Sequence, residues 1–329
     1  MSTILVSNPI HEEVRRRLEA HGQVVVNPSI VPWTHEEFIA RAHSASAIMG
    51  FMTDRVDRRL LASAPSLRVV AAALKGFDSY DIDACTDAGV WLTIVPDLLT
   101  EPTAELAIGL AISLARHVRH GDAYVRSGAF QGWRTLFFGT GLRGATVAVI
   151  GLGRVGRAII DRLGGFECAR ILGVDPNASH PQAQRCDLAT ALAAADFVFV
   201  AAPLTPGSRG LINDGELAHA KHGQLMVNIG RGSVVDENAL LPALESSRLA
   251  GYAADVFSCE DWSLADRPMA IAPALLAHPN TLFTPHLGSA VHAVRLAIEH
   301  RASDNIIAVL RGEVPPDPIN QPRIACHAA

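Results

Sequence analysis

The segment TVAVIGLGRVG at residues 146–156 constrains the fold of this chain more than any other feature. A short apolar run leads into a hexapeptide with glycine at its first, third and sixth positions, and helical spacing follows to residue 163. The three glycines permit a tight turn, a close approach to a pyrophosphate, and close helix–strand packing, while the helix N-terminus offers N–H groups to phosphates. The predicted cofactor-binding residues here are Gly151, Gly153, Arg154, Val155 and Gly156.

The residue that ends the next predicted strand indicates which dinucleotide is bound. Asp175 stands 19 positions past the last glycine of the turn, where a carboxylate can accept hydrogen bonds from the ribose hydroxyls. Its charge would repel a 2′-phosphate, and the following residues, PNA, include no arginine. The pattern therefore favours NAD over NADP.

Apolar runs alternate with helical spacing along most of the chain, which predicts parallel sheets covered by helices on both faces. In the N-terminal part the predicted strands are 4–6, 24–26, 47–51, 69–74 and 91–95. From the glycine-rich segment onward they are 147–150, 171–174, 197–201, 225–229, 252–254 and 282–283. The predicted fold class is α/β, with two Rossmann-like or flavodoxin-like doubly wound parallel-sheet domains and a cleft between them.

The length of 329 residues exceeds what one hydrophobic core usually serves, so two domains are expected. Residues 1–99 with 287–329 are predicted to form a substrate-binding domain, and residues 100–286 an NAD-binding domain. A long helix, predicted at 104–118 with Thr100 as its cap, would connect them.

Composition limits the classes of partner. The net charge of −5 and the lack of a basic block argue against a nucleic-acid or membrane-surface partner. No apolar run approaches the ~20 residues of a membrane span, and the first residues lack the pattern of a secretory signal, so a cytoplasmic protein is expected. Five cysteines without CxxC spacing indicate free thiols and no metal site.

Polar side chains at the ends of predicted strands are the catalytic candidates. Arg231, Glu260 and His286 each follow a strand of the second sheet, where the functional groups of open α/β sheets gather. An imidazole near a carboxylate suits proton transfer, and arginine suits an anionic substrate. Lys75 follows a strand of the first sheet and precedes Gly76, which leaves room for a small ligand.

Several of these segments resemble the D-isomer-specific 2-hydroxyacid dehydrogenases. The resemblance rests on GLGRVG, on NIGRGSVVDENAL at 228–240, on GYAADVF at 251–257 followed by Glu260, and on TPHLGS at 284–289. It implies that Arg231, Glu260 and His286 are the catalytic trio. It also implies a homodimer formed through the nucleotide domain with the helix after Thr103. Further implied cofactor contacts are Thr103, Pro203, Ile229, Gly230 and Asp255.

Within this family, the segments GFMTDRVD at 50–57, VRSGAFQGW at 125–133, the stretch 73–111 that begins ALKGFDS, and several segments within 251–299 are similar to phosphonate dehydrogenases. Lys75 together with Met52 makes this resemblance specific. This narrower resemblance implies oxidation of phosphite to phosphate with hydride transfer to NAD. Phe138 departs from it, because a tyrosine is expected there. The implied substrate-binding residues are Lys75, Gly76, Leu74, Met52, Trp133 and Arg295.

The resemblance implies that Lys75 and Arg231 hold the phosphite dianion while His286, oriented by Glu260, takes a proton from the attacking water. Two alternatives stay open. One is an ordinary D-2-hydroxyacid dehydrogenase of the glyoxylate or hydroxypyruvate reductase type, which would use the same trio on a carbon substrate. The other is a non-catalytic NAD-sensing protein with this fold.

Overall fold

The computed structural model describes residues 2–322, which form two compact units. The first contains residues 2–99, 262–265 and 290–322, and the second contains residues 100–261 and 266–289. Residue 1 and residues 323–329, which include Cys326 and the end of the predicted substrate-binding domain, lie outside the described residues.

Each unit is built on a parallel sheet. The strands are β1 (Thr3–Val6), β2 (Gln23–Val26), β3 (Ala47–Gly50), β4 (Val69–Ala72), β5 (Trp91–Thr93), β6 (Thr146–Ile150), β7 (Arg170–Val174), β8 (Gln184–Arg185), β9 (Phe197–Val200), β10 (Gln224–Asn228), β11 (Leu249–Ala254) and β12 (Thr281–Phe283). In the described chain the first sheet has the order β2-β1-β3-β4-β5 and the second the order β12-β11-β10-β9-β6-β7-β8. All pairings between these strands are parallel. The predicted fold class of two parallel-sheet α/β units is confirmed.

Helices form the connections between the parallel strands. They are α1 (Glu12–Glu19), α2 (His35–Ala42), α3 (Arg58–Ser63), α4 (Ile82–Asp87), α5 (Thr100–Ala115), α6 (Val118–Arg126), α7 (Arg154–Leu163), α8 (Leu188–Ala194), α9 (Asp214–Ala218), α10 (Glu237–Glu245), α11 (Pro273–Ala277) and α12 (His292–Leu310). Side chains that accept a first-turn N–H fix where several of them begin; Asp57, Asp81 and Asp187 cap α3, α4 and α8 in this way.

The alternation of side chains along each strand divides the apolar residues between the two faces of a sheet. In the first unit, Leu5, Ile48 and Val70 contribute to one buried cluster, whereas Ile4 and Met49 contribute to the cluster on the other face. The helix α12 covers that second face with its buried apolar residues. Strands buried on both sides explain why their sequences are continuously apolar.

Three local predictions need correction. The predicted helix 104–118 extends too far, because α5 ends at Ala115 and the left-handed His117, with φ of 53°, separates it from α6. Thr100 is the first residue of α5, and its hydroxyl makes no hydrogen bond to the described residues. The two-residue strand β8 was not predicted, because Gln184 and Arg185 are polar and exposed.

The compact units differ from the predicted domain boundaries at two short segments. Residues 262–265 belong to the first unit, and residues 287–289 belong to the second. The second difference has a clear cause, since the Leu287 and Gly288 N–H groups donate to the Asp255 carboxylate at 2.7 and 2.8 Å. The assignment of substrate and cofactor roles to these domains stays a prediction.

Candidate active site

The glycine-rich turn forms the predicted strand–turn–helix between β6 and α7. Gly151 has φ of 92°, and a Cβ atom there would lie 2.6 Å from the Ala202 nitrogen. A Cβ on Gly156 would lie 1.9 Å from the Gly151 carbonyl oxygen, so the helix can pack against the turn only with glycine. Gly153, by contrast, has nothing within 4 Å of a Cβ position. This open backbone at the start of α7 fits a pyrophosphate.

Three segments predicted to contact the cofactor meet at Ala202, after strand β9. A Cβ on Gly230 would lie 2.5 Å from the Ala202 carbonyl oxygen, and Gly151 contacts the same residue from the other side. Pro203 follows directly and is exposed, whereas Ile229, before Gly230, is buried. The carboxyl ends of β6, β9 and β10 therefore come together at the place where dinucleotides bind to open α/β sheets.

Asp175, at the end of β7, faces this turn. Its carboxylate accepts hydrogen bonds from the backbone N–H groups of Leu152 at 2.8 Å, Asn177 at 2.9 Å and Ala178 at 2.8 Å. Partial burial raises its pKa, but these three bonds and the charge of Arg157 outweigh burial and leave the pKa below its usual value. The side chain is therefore a fixed negative charge beside the turn, which suits ribose hydroxyls and disfavours a 2′-phosphate.

The structure brings His286 and Glu260 together. The His286 Nδ1 atom lies 3.0 Å from the Glu260 Oε2 atom, and both side chains are about a third exposed or less. The other carboxylate oxygen, Oε1, accepts the Phe257 N–H at 2.9 Å, which fixes the orientation of the carboxylate. An imidazole held by an oriented carboxylate, with its second nitrogen turned away from that carboxylate, is an arrangement suited to proton transfer.

Asp255 holds the turn that carries His286. Its carboxylate accepts the Thr284 hydroxyl at 2.6 Å and the Leu287 and Gly288 N–H groups, and its carbonyl oxygen accepts the His286 N–H at 2.9 Å. His286 is thereby kept in a left-handed conformation with φ of 57°, which side chains rarely adopt. Burial raises the pKa of Asp255, and these donors oppose the increase.

Thr103 and Asp255, both predicted to contact the cofactor, lie on either side of the same turn. A Cβ on Gly288 would be 3.0 Å from the Thr103 hydroxyl oxygen and 3.3 Å from the Asp255 carboxylate. The Asp255 carboxylate is already engaged by the turn. Its direct role in this structure is to position His286, and contact with the cofactor stays a prediction.

Arg231 follows β10 on a loop that Asn228 stabilises. The Asn228 Nδ2 atom donates to the Arg231 carbonyl oxygen at 3.0 Å, and its Oδ1 atom accepts the Gly230 N–H at 3.1 Å. Sequence reasoning did not single out Asn228, or Glu237 and Asp261, which join this loop to the one that carries Glu260. Their positions in the sequence could have identified them, because Asn228 and Glu237 lie within NIGRGSVVDENAL and Asp261 directly follows Glu260.

Most of the predicted substrate-binding residues lie in the first unit. Leu74 is buried after β4, and Lys75 and Gly76 follow it half-buried. Met52 packs against one face of the first sheet. Arg295, on α12, lies with its guanidinium carbon 5.8 Å from the centre of the Phe51 ring. Burial lowers the pKa of Arg295, and the nearby Glu299 charge opposes this.

Trp133 belongs to the second unit and is 76% exposed, and its contact with the substrate stays a prediction. Among residues 2–322 no group of three or more His, Cys, Asp or Glu side chains is placed to hold a metal ion. No helix in that range is both long and apolar enough to cross a membrane.

Comparison with known proteins places this chain in a family. Residues 108–288 match the D-isomer specific 2-hydroxyacid dehydrogenase, NAD binding domain. The chain is 34% identical to the glyoxylate reductases of Thermococcus litoralis, over 86% of each chain, and of Pyrococcus horikoshii, over 97% of this chain and 96% of the relative. Its structure is similar to that of the TT0316 protein from Thermus thermophilus, with a TM-score of 0.89, 32% identity, and coverage of 96% and 99% of the two chains.

These relatives contradict the predicted phosphite oxidation. Proteins that align with nearly the whole chain are glyoxylate reductases, and none of these relatives supports a phosphonate dehydrogenase. The prediction took Lys75 and Met52 as specific to phosphonate dehydrogenases, whereas GLGRVG, NIGRGSVVDENAL and TPHLGS resemble the family as a whole. The cofactor prediction is confirmed, since the second unit is an NAD-binding domain. The chain therefore belongs to the D-isomer-specific 2-hydroxyacid dehydrogenase family.

Proposed function

We propose that this protein is an NAD-dependent reductase of small 2-oxo acids of the glyoxylate and hydroxypyruvate type. The observation that carries the proposal is the Glu260–His286 pair at the carboxyl ends of β11 and β12, in the same unit as the glycine-rich turn. The near full-length similarity to glyoxylate reductases supports the choice of substrate class.

When bound, NADH would supply the hydride for the 2-oxo carbon. His286 donates a proton to the oxygen of that carbonyl group, and in the reverse direction it accepts the proton from the 2-hydroxyl group. Glu260 orients the imidazole through the contact between its Oε2 atom and the His286 Nδ1 atom. Arg231 binds the negatively charged substrate, because a guanidinium can donate two hydrogen bonds to a carboxylate.

The cofactor is held by the backbone of the glycine-rich turn, by Asp175 at the ribose, and by the segments that contain Pro203 and Gly230. The substrate-binding roles that the resemblance implies for Lys75, Gly76, Met52, Leu74 and Arg295, all in the first unit, stay predictions.

An absorbance assay tests this function directly. Purified protein with NADH should oxidise the cofactor in the presence of glyoxylate or hydroxypyruvate, and the rate should be lower with bulkier 2-oxo acids. Glycolate or D-glycerate with NAD should give the reverse reaction. If none of these substrates changes the NADH absorbance above the rate of a His286→Ala control, the proposed function is wrong.

We also propose that the protein acts as a homodimer. Residues 118–138 of the second unit expose several large apolar side chains, which are Val118, Val125, Phe130, Trp133, Leu136, Phe137 and Phe138. Soluble monomers rarely expose so many apolar groups along one segment. A second copy of this chain would cover them, as the family resemblance implies.

A further inference from the structure

The loops that carry Arg231 and Glu260 touch each other backbone to backbone. They follow the adjacent parallel strands β10 and β11. A Cβ atom on Gly232 would lie 1.9 Å from the Phe257 carbonyl carbon and 2.1 Å from the Ser258 nitrogen. Only glycine permits this approach. The spacing between the two loops is therefore set where they touch, one residue after Arg231 and two to three residues before Glu260.

Two carboxylates bridge these loops in opposite directions. The Asp261 Oδ2 atom, on the second loop, accepts the Ser233 N–H of the first loop at 2.7 Å. The Glu237 Oε1 atom, at the start of α10 after the first loop, accepts the Ser258 N–H of the second loop at 2.6 Å. Each loop thus donates one backbone N–H and supplies one carboxylate. We call Glu237 and Asp261 the carboxylate bridge.

The carboxylate bridge lowers the stability of the folded state. Asp261 is 1% exposed, and burial raises the pKa of Glu237, with the charges of Asp261 and Glu260 adding to the increase. Burying like charges close together disfavours folding, and an uncharged acceptor could satisfy the same N–H groups at lower cost. Short charge-assisted hydrogen bonds do, however, hold geometry more strictly than neutral ones.

The bridge acts on both parts of the site. Ser233 lies two residues after Arg231, and Ser258 lies two residues before Glu260, whose own carboxylate bonds to Phe257 and His286. Movement of one loop relative to the other would change the distance between the guanidinium and the imidazole. Small displacements of this kind are costly in catalysis.

We infer that Glu237 and Asp261 are positioning residues that fix Arg231 relative to the Glu260–His286 pair. This inference rests on the proposed reduction of 2-oxo acids, in which Arg231 binds the substrate and His286 transfers the proton. Neither bridge residue touches the substrate in this scheme. They act by fixing the distance between the Arg231 guanidinium and the His286 imidazole, which do touch the substrate.

Kinetics of bridge variants test the inference. Asp261→Ala and Glu237→Ala should each lower kcat/KM for glyoxylate at least tenfold, with a rise in KM, while the NADH Kd measured by fluorescence changes less than twofold. Asp261→Asn keeps an oxygen acceptor for the Ser233 N–H and should recover part of the lost activity, because a neutral hydrogen bond holds the loop less strictly than a charged one. The double alanine variant should be little worse than the poorer single variant, because both residues hold one interface.

Asp236→Asn is the matched control. Asp236 lies beside Glu237, but its carboxylate accepts the Asn238 N–H of its own helix, which asparagine can also do. Its kcat/KM should stay within twofold of the wild-type value. The inference is overturned if both alanine variants also stay within twofold, if NADH affinity falls in parallel with activity, or if Asp261→Asn is as impaired as Asp261→Ala.

Hydrogen exchange separates this inference from the proposed function, because it needs no substrate. In Asp261→Ala, peptides covering residues 230–237 should exchange faster than in the wild type, because the Ser233 N–H loses its acceptor. In Glu237→Ala, peptides covering residues 256–261 should exchange faster, because the Ser258 N–H loses its acceptor. If the wild-type protein reduces no 2-oxo acid, the proposed function fails while the exchange result still tests the bridge. Unchanged exchange in both variants would overturn the bridge itself.

Discussion

Burial controls the protonation of Asp54, a carboxyl group outside the proposed catalytic trio. It lies after β3, where the Ser7 hydroxyl and the Phe51 N–H donate to its Oδ2 atom. Near-complete burial raises its pKa to about 6 from an ordinary 3.8, although the two hydrogen bonds act in the opposite direction. At neutral pH the first unit therefore contains a buried carboxylate whose ionisation destabilises the folded state relative to the unfolded state.

Replacing Asp54 with asparagine should stabilise the protein at neutral pH. Between pH 3.8 and about 6 the folded state binds the proton more tightly than the unfolded state, so Asp54 makes the protein less stable as pH rises through this window. The free energy of unfolding above pH 6 is therefore roughly 3 kcal/mol lower than it would be without the raised pKa of Asp54. In urea unfolding, the free energy of unfolding of Asp54→Asn should exceed that of the wild type at pH 7 and equal it near pH 4.

The exposed residue Asp83 provides the control for that measurement. Asp83→Asn should leave the difference between pH 4 and pH 7 unchanged. A wild-type-like pH dependence in Asp54→Asn would show that the Asp54 carboxyl group does not titrate as its burial requires.

Removal of the imidazole should test the proton-transfer role of His286. General acid catalysis contributes about 10²–10⁴-fold to rate, so His286→Ala should lower kcat by that amount with little change in NADH affinity. Glu260→Gln keeps a hydrogen-bond partner for His286 but removes the charge, and it should be less impaired. Stopped-flow NADH oxidation measures both, and the exposed His292→Ala is the control. A His286→Ala enzyme with wild-type kcat would assign the proton donor elsewhere.

At the scale of elements, we expect the backbone of the turn between β6 and α7, together with the Asp175 side chain beside it, to select the cofactor. The open backbone at Gly153 admits the pyrophosphate, and the Asp175 carboxylate adds a fixed charge that three backbone N–H groups hold in place. We therefore expect the turn to provide affinity for the dinucleotide and Asp175, after β7, to provide discrimination against NADP.

Asp175→Ser should weaken discrimination between the two nicotinamide cofactors. Loss of the negative charge removes repulsion of a 2′-phosphate and also a ribose acceptor, so the KM for NADH should rise about tenfold while the KM for NADPH falls. Steady-state kinetics with both cofactors measure the ratio. Asp187→Ser, which changes an exposed helix cap in the same unit to another capping residue, should leave the ratio unaltered. An unchanged ratio in Asp175→Ser would contradict the assignment.

At the scale of the whole molecule, the apolar surface of residues 118–138 predicts self-association. Trp133 and Phe138 are 76% and 75% exposed. Placing glutamate at these two positions adds charges that a buried interface cannot accommodate. The double variant Trp133→Glu/Phe138→Glu should sediment as a monomer at micromolar concentration, whereas the wild type should sediment as a dimer.

Ile30→Glu serves as the control for sedimentation, because Ile30 is 88% exposed and lies in the first unit. It should behave as the wild type does. A wild-type protein that sediments as a monomer would contradict the proposed homodimer, and a double variant that stays dimeric would move the interface to another surface.

The sequence predicted the fold well because its strands are buried on both faces and read as continuous apolar runs. It predicted α7 at its observed bounds, since a glycine turn begins that helix. The break between α5 and α6 could not be predicted from the sequence, because the apolar residues keep helical spacing on both sides of His117, whose backbone is left-handed. Strand β8 was missed because exposed edge residues need not be apolar.

Prediction of the site was uneven for a related reason. Strand-end placement singled out Glu260 and His286, which the structure brings into contact, since chemistry at strand ends is expected from topology. Glu237 and Asp261 were missed because their role depends on which backbone N–H they meet across two loops. The substrate was predicted wrongly because a few residues around Lys75 were weighed above motifs that many members of the family share.

The last helix has a consequence for how the protein is made. Ile298, Ile306 and Val309 of α12 complete a core whose other members, such as Ile4 and Met49, are synthesised near the beginning of the chain. Residues 100–261 and 266–289 emerge from the ribosome between these partners and form a unit with its own two apolar clusters. The nucleotide-binding unit can therefore fold during translation, whereas the first unit must wait, with one face of its sheet uncovered, until α12 has been synthesised.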